Sequence, residues 1–113
     1  MFVEVLDDES KQRLYAAHAA MTVRALEKVF GRSEKEAASL VADLHERCKK
    51  IGSTQLDWLM HDDPINLAAQ ILKIPLIELG KEEYAHLVSE YNTEVRPEYE
   101  KRYRNAKERR VNW

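Results

Sequence analysis

The chain has 113 residues, 34% of them charged, with a net charge of −2 and only three Gly and three Pro. This composition favours an all-α globule over a β-sheet or a disordered chain, because Ala, Leu, Glu, Lys and Arg are strong helix formers. The single Cys excludes an internal disulfide, and no uncharged segment approaches the roughly 20 residues that a membrane-spanning helix needs. We therefore predict a soluble, cytoplasmic protein with one helical domain over residues 1–113 and no membrane contact.

The N-terminal part of the chain contains a short alternating segment and then an amphipathic helix. Residues 2–6 alternate apolar and acidic side chains, which fits either a short strand or an extended lead-in. From about residue 9 to residue 30, apolar side chains recur at helical spacing, and Gly31 then supplies a left-handed stop. The apolar face of this helix contains Leu14, Ala17, His18, Met21, Ala25 and Val29.

A second amphipathic helix begins after Ser33. Ser33 and Glu36 have the spacing of a capping box, and the apolar stripe that follows ends at Gly52. Because only a short Gly-Arg-Ser turn joins the first two helices, we predict that they pack as an antiparallel helix hairpin. The stripe of the second helix contains Ala37, Leu40, Val41, Leu44, Cys48 and Ile51.

The middle of the chain contains its most apolar helical segment. We expect a short helix over about residues 53–60 to precede this segment. Asp63 and Pro64 then fit an N-cap and a first helical position, where the missing amide of proline costs nothing. Because only two residues between 64 and 72 are polar, we predict a buried central helix there, within a compact bundle of five or six helices.

Two further helices complete the predicted bundle. Residues 74–80 break the helical pattern, and a helix from Lys81 then has an apolar face made of Tyr84, Leu87, Val88, Tyr91 and Val95. The last helix, about 97–110, is basic: residues 96–113 contain seven Lys and Arg against three Asp and Glu, whereas residues 1–95 contain 11 against 17. An acidic body therefore carries a basic C-terminal helix.

The sequence contains no pattern typical of a catalytic or metal site. Each of the four His lies on a different predicted segment, and three Gly are too few for a phosphate-binding loop. We therefore predict no catalytic residue, no metal and no cofactor, with His61 and Asp62 as the metal-ligand candidates of a third alternative, a small metal-dependent enzyme. His18 lies within an apolar face, which favours a hydrogen-bonded core histidine over an acid–base group or a pH switch.

The basic C-terminal helix makes nucleic-acid binding the second alternative. Tyr99 and Tyr103 alternate with Lys and Arg there, and such residues stack on bases and pair with phosphates. Three Glu in the same segment and the acidic body oppose this function. A partial helix-turn-helix pattern in residues 67–84 is opposed by the acidic residues of its recognition helix.

The aromatic residues favour protein–protein binding as the main function. Five Tyr and two Trp exceed the needs of a small core, and Tyr, Trp and Arg dominate the binding energy of protein interfaces. We therefore predict a non-catalytic accessory protein of the inhibitor, immunity or adaptor type, whose partner is another protein or a second copy in a homodimer. The predicted contact residues are Trp58, Tyr91, Tyr99, Arg102, Tyr103 and Trp113.

Overall fold

Helices form all of the regular secondary structure in the part of the chain that the structure describes. The computed structural model describes residues 8–52, 55, 59, 62–98 and 100–101. Within these residues the elements are helical and no strand occurs, so the predicted compact all-α class is confirmed. The α-helices are α1 (Asp8–Lys28), α2 (Glu34–Ile51), α3 (Pro64–Ile71) and α4 (Glu82–Glu94), and a 3-10 helix spans Leu76–Gly80.

The helix ends form where the local sequence predicts them. Gly31, with a φ of 67°, adopts the left-handed conformation after α1. The Ser33 hydroxyl accepts a hydrogen bond from the Glu36 amide at 3.2 Å and so caps α2. The Asp63 carboxylate accepts from the Ile65 amide at 2.9 Å and so caps α3. These bonds satisfy amides that have no partner within their own helix, which confirms the predicted N-caps.

The core forms around α1 and α3. α1 contacts each of the other three α-helices, and α3 contacts α1, α2 and the 3-10 helix. Five of the eight residues of α3 are buried, which confirms the predicted buried helix, although α1 shares its central position. The largest buried cluster joins all four α-helices and contains Met21, Ala25, Leu26, Val29, Ala37, Val41, Ile65, Ala68, Tyr91 and Val95.

One residue of the predicted apolar stripes lies in solvent. Ile51 is 72% exposed, although the helical period places it on the same side of α2 as the buried Cys48. It is the last residue of α2 and lies one turn beyond Cys48, so it extends past the packed part of the helix. Ile51 is therefore the exposed end of the apolar stripe and not part of the core.

Several predictions concern segments outside the described residues. These are the segment 2–6, most of the helix over 53–60 and most of the C-terminal helix over 97–110, of which residues 97, 98, 100 and 101 are described and helical. The count of five or six helices and the antiparallel arrangement of the first two stay predictions. Among the helices that the structure describes, none is long and apolar enough to cross a membrane.

Candidate functional site

Tyr91 belongs to the core and not to an exposed binding surface. Its side chain is completely buried, and its hydroxyl donates a hydrogen bond of 3.0 Å to the main-chain carbonyl of Met21. The helical period of α4 already places Tyr91 on the apolar face, and packing against α1 satisfies both its ring and its hydroxyl. The expectation that Tyr91 contacts a partner protein is therefore corrected.

The other predicted contact residues lie outside the described part of the chain. Trp58 precedes α3 in the sequence, and Tyr99 belongs to the C-terminal segment. The same holds for Arg102, Tyr103 and Trp113. His61, a metal-ligand candidate of the third alternative and not a predicted contact residue, also lies outside the described residues. The predicted aromatic and basic contact surface thus stays a prediction.

Two of the three exposed large apolar side chains that the structure describes are neighbours in the 3-10 helix. Leu76 is 47% exposed and Ile77 is 78% exposed. Lys73, two residues after α3, adopts a left-handed conformation with a φ of 60°, and Pro75 then precedes the 3-10 helix as its N-cap. With three residues per turn, Leu76 and Leu79 share one side of this helix, and Ile77 projects from another. Periodicity could not reveal this exposure, because the segment interrupts the helical pattern.

A groove of about 380 Å³ lies beside these two residues. Its apolar lining comes from Ile65 of α3, Leu76 and Leu79 of the 3-10 helix, and Val88 of α4. Gly80 also lines the groove, and a Cβ atom built on Gly80 would meet nothing within 4 Å. We call Leu76, Ile77 and this groove together the 76–77 patch.

Part of the polar lining of the groove is an ion pair between Asp63 and Arg96, whose opposite charges compensate each other. Arg96 Nη2 lies 2.8 Å from the Asp63 carboxylate, and Arg96 Nε donates to the Asn92 side-chain oxygen at 2.8 Å. The guanidinium also lies 5.7 Å from the centroid of the Tyr91 ring. Because the two charges compensate each other, the groove presents no net charge from this pair to an incoming group.

A second notable feature is the buried His18, together with the half-buried His45. His18 of α1 is buried, and its Nε2 donates to the main-chain carbonyl of Asp62 at 2.7 Å, which confirms the predicted hydrogen-bonded core histidine. Burial lowers the pKa of His18, while the Asp62 hydrogen bond and the Asp62 and Asp63 carboxylates oppose this shift. Burial also lowers the pKa of His45 in α2, and the charges of His18 and Lys49 lower it further.

α1 packs against α2, and a charge on His18 would lower the pKa of His45, although 27 positions separate the two residues in the sequence. Spacing along the chain could not reveal this effect, because it arises from tertiary packing. Both groups favour the neutral form, since burial penalises the imidazolium.

The described residues contain no group of three or more His, Cys, Asp or Glu side chains placed to hold a metal ion. Two features of the described residues bear on function: the 76–77 patch at the surface and the His18–Asp62 hydrogen bond in the interior. Comparisons with known proteins found no matching family model, no matching curated protein and no matching solved structure.

Proposed function

We propose that this chain is a small non-catalytic accessory protein, of the inhibitor, immunity or adaptor type, that binds another protein chain through the 76–77 patch. The observation that carries the proposal is the exposure of Leu76 and Ile77 beside a groove whose lining is partly apolar and partly polar. Exposed apolar side chains are common one at a time, whereas adjacent ones next to a groove are typical of contact sites.

The composition of the patch supports a protein partner. Protein interfaces combine an apolar centre that excludes water with a polar rim. Here the apolar part is Leu76, Ile77 and the apolar lining of the groove, and Asn66 and Asn92 also line the groove. The side-chain oxygen of Asn92 accepts from Arg96, whereas the Asn66 amide has both a donor and an acceptor to offer to the main chain of a partner.

The surface of α4 supports a protein partner over a nucleic acid. Glu82 and Glu83 are exposed at the start of this helix, and carboxylates repel phosphates. Glu90 and Glu94 are also exposed, but both carboxylates lie within 3.3 Å of the Lys28 ammonium. Nucleic-acid binding through the basic residues of segment 96–113 stays the alternative. Deletion of residues 102–113 tests it: binding through this segment would be lost on deletion and would weaken steeply as salt is raised.

Site-specific photo-crosslinking tests the proposed function. Benzoylphenylalanine is introduced at position 77 in one variant and at position 51 in a matched control, because Ile51 is the other strongly exposed Ile. Both variants are irradiated in the native cell, and adducts are identified by mass spectrometry. We expect a discrete protein adduct from position 77 and none from position 51. The absence of an adduct at position 77, or equal adducts at both positions, would overturn the proposal.

A further inference from the structure

We infer that the basic C-terminal segment of this chain, residues 102–113, docks on its own body in a groove formed by α1, the start of α2 and Glu98. We call this groove the α1 groove, and it shares no lining residue with the groove of the 76–77 patch. Because the two surfaces are separate, this contact is independent of the proposed function. Three features support it: the lining of the α1 groove, the place where the described chain ends, and the charges on both sides.

The α1 groove combines an apolar lining with charged side chains, in a volume of about 320 Å³. Its lining residues are Ala20, Met21, Val23, Arg24 and Glu27 of α1, Glu34 of α2, and Glu98. Ala20 and Val23 are only partly buried, although both pack against the core. Segment 102–113 contains two aromatic residues, Tyr103 and Trp113, whose rings can cover such apolar surface. Removal of this surface from water favours docking.

The described chain ends beside the α1 groove. Glu98 lines the groove, and residues 100 and 101 after it are helical. Arg102 follows Glu98 by only four positions, which span about 6 Å in a helix and at most about 14 Å in an extended chain. Segment 102–113 therefore starts next to the groove. Docking there closes only a short loop, so it costs little conformational entropy.

The charges of the two surfaces are complementary. Segment 102–113 contains five Lys and Arg against one Glu, whereas the α1 groove is lined by three Glu against one Arg. Glu27 and Glu34 form no ion pair with any other described residue. The exposed Glu90 and Glu94 of α4, in contrast, already share the Lys28 ammonium. Glu27 and Glu34 are thus open to the cations that follow Glu98 in the sequence.

The covalent link favours this segment over a separate molecule in the groove. A nucleic acid would meet the same carboxylates and be repelled. A separate basic chain would have to compete with a tethered segment, whose effective concentration at the groove is in the millimolar range. While docked, the segment pairs its cations within the chain, so the contact is autoinhibitory for binding of acidic partners through those cations.

Intramolecular photo-crosslinking of the full chain tests the contact. Benzoylphenylalanine replaces Tyr103, so an aromatic side chain is kept, and the dilute protein is irradiated in about 0.05 M NaCl. We expect an adduct within one chain to residues 20–27 or 34, mapped by mass spectrometry. In about 1 M NaCl its yield should fall at least about threefold, because salt screens the ion pairs. No adduct within one chain, an adduct that joins two chains, or one mapped to α4 would overturn the inference.

Charge variants separate docking from mere closeness of position 103 to Glu98 along the chain. Glu27→Gln with Glu34→Gln removes two carboxylates of the α1 groove at almost unchanged size, and the adduct is expected to fall at least about threefold. Glu82→Gln with Glu83→Gln is the matched control, because it removes two exposed carboxylates of α4. The control should give the same yield as the unaltered body. An equal yield in all three proteins, or a yield unaffected by salt, would overturn the inference.

Discussion

His18 and Asp62 are 44 positions apart in the sequence and are joined by a hydrogen bond of 2.7 Å. The acceptor is a main-chain carbonyl, which has no proton to give, so Nε2 of the imidazole must carry the proton. This bond ties α1 to the junction that immediately precedes α3. A buried side chain of one helix thereby holds the start of another helix in place.

Replacing His18 by Leu tests the contribution of this bond. Leu is close to His in size but has no donor, so the Asp62 carbonyl loses its partner. We expect the free energy of unfolding to fall by about 1–3 kcal/mol. Urea denaturation followed by circular dichroism measures this change. His86→Leu is the matched control, because His86 is exposed on α4 and its replacement should stay within about 0.5 kcal/mol of the wild type. Equal midpoints for the two variants would contradict the prediction.

The lowered pKa values of His18 and His45 predict an acid-sensitive fold. In the unfolded chain both groups take up a proton near pH 6.5, whereas burial in the folded chain keeps them neutral to a lower pH. Between these two pKa values the unfolded state binds more protons, so stability falls as pH falls. Above pH 6.5 the stabilising effect of the neutral form is fully present.

Urea titrations between about pH 7.5 and about pH 5.5 measure this loss, which is limited to about 1.4 kcal/mol per pH unit for each group. The double variant His18→Leu with His45→Leu should flatten the dependence. A wild type whose stability is constant or rises as the pH falls through this window would contradict the assignment of the two histidines.

The helical period predicted the faces of these residues but not their partners. It placed His18 and Tyr91 on apolar faces, where both are buried. It carried no information on Asp62, because the residues between two helices have no repeating pattern. It carried none on the effect of His18 on His45 either, because that effect depends on how α1 packs against α2. Local rules identified the Asp63 cap, because a cap involves residues only two or three positions apart.

The candidate site was the part least predictable from the sequence. Tyr is abundant in protein interfaces, so Tyr91 was predicted to contact a partner. Tyr is also common in protein cores, and residue type alone does not distinguish the two positions. The exposure of Leu76 and Ile77 depends on a left-handed Lys73 and a 3-10 turn that reorient the chain between α3 and α4. Neither the conformation of Lys73 nor the turn has a periodic signal, so hydrophobicity alone would have placed both residues in the core.

Tyr91→Phe tests the buried hydroxyl on its own. The substitution keeps the ring but removes the hydrogen bond to the Met21 carbonyl. We expect a loss of about 1 kcal/mol in the free energy of unfolding, because the ring still fills its site. Tyr84→Phe is the control, since the described contact of Tyr84 is between its ring and that of Phe30, with centroids 5.5 Å apart, and Phe retains it. Thermal unfolding should rank the Tyr91 variant below the Tyr84 variant, and the reverse order would contradict the prediction.

Asp63 has two roles that two substitutions can separate. Its Oδ1 accepts from the Ile65 amide, and its Oδ2 lies 2.8 Å from Arg96 Nη2. Asp63→Asn keeps an oxygen acceptor for the cap and removes the charge, whereas Asp63→Ala removes both. We therefore expect Asp63→Ala to be less stable than Asp63→Asn by about 1 kcal/mol, the usual contribution of an N-cap.

A double-mutant cycle of Asp63→Asn with Arg96→Met isolates the ion pair. Because both side chains are partly exposed, we expect a coupling energy of about 0.5–1 kcal/mol, measured by urea denaturation at low salt. Raising NaCl from about 0.05 M to about 1 M should reduce this coupling through screening, whereas the difference between Asp63→Ala and Asp63→Asn should persist, since a cap is a short-range hydrogen bond. Strict additivity in the cycle at low salt would show that the pair does not hold the end of α4 to the start of α3.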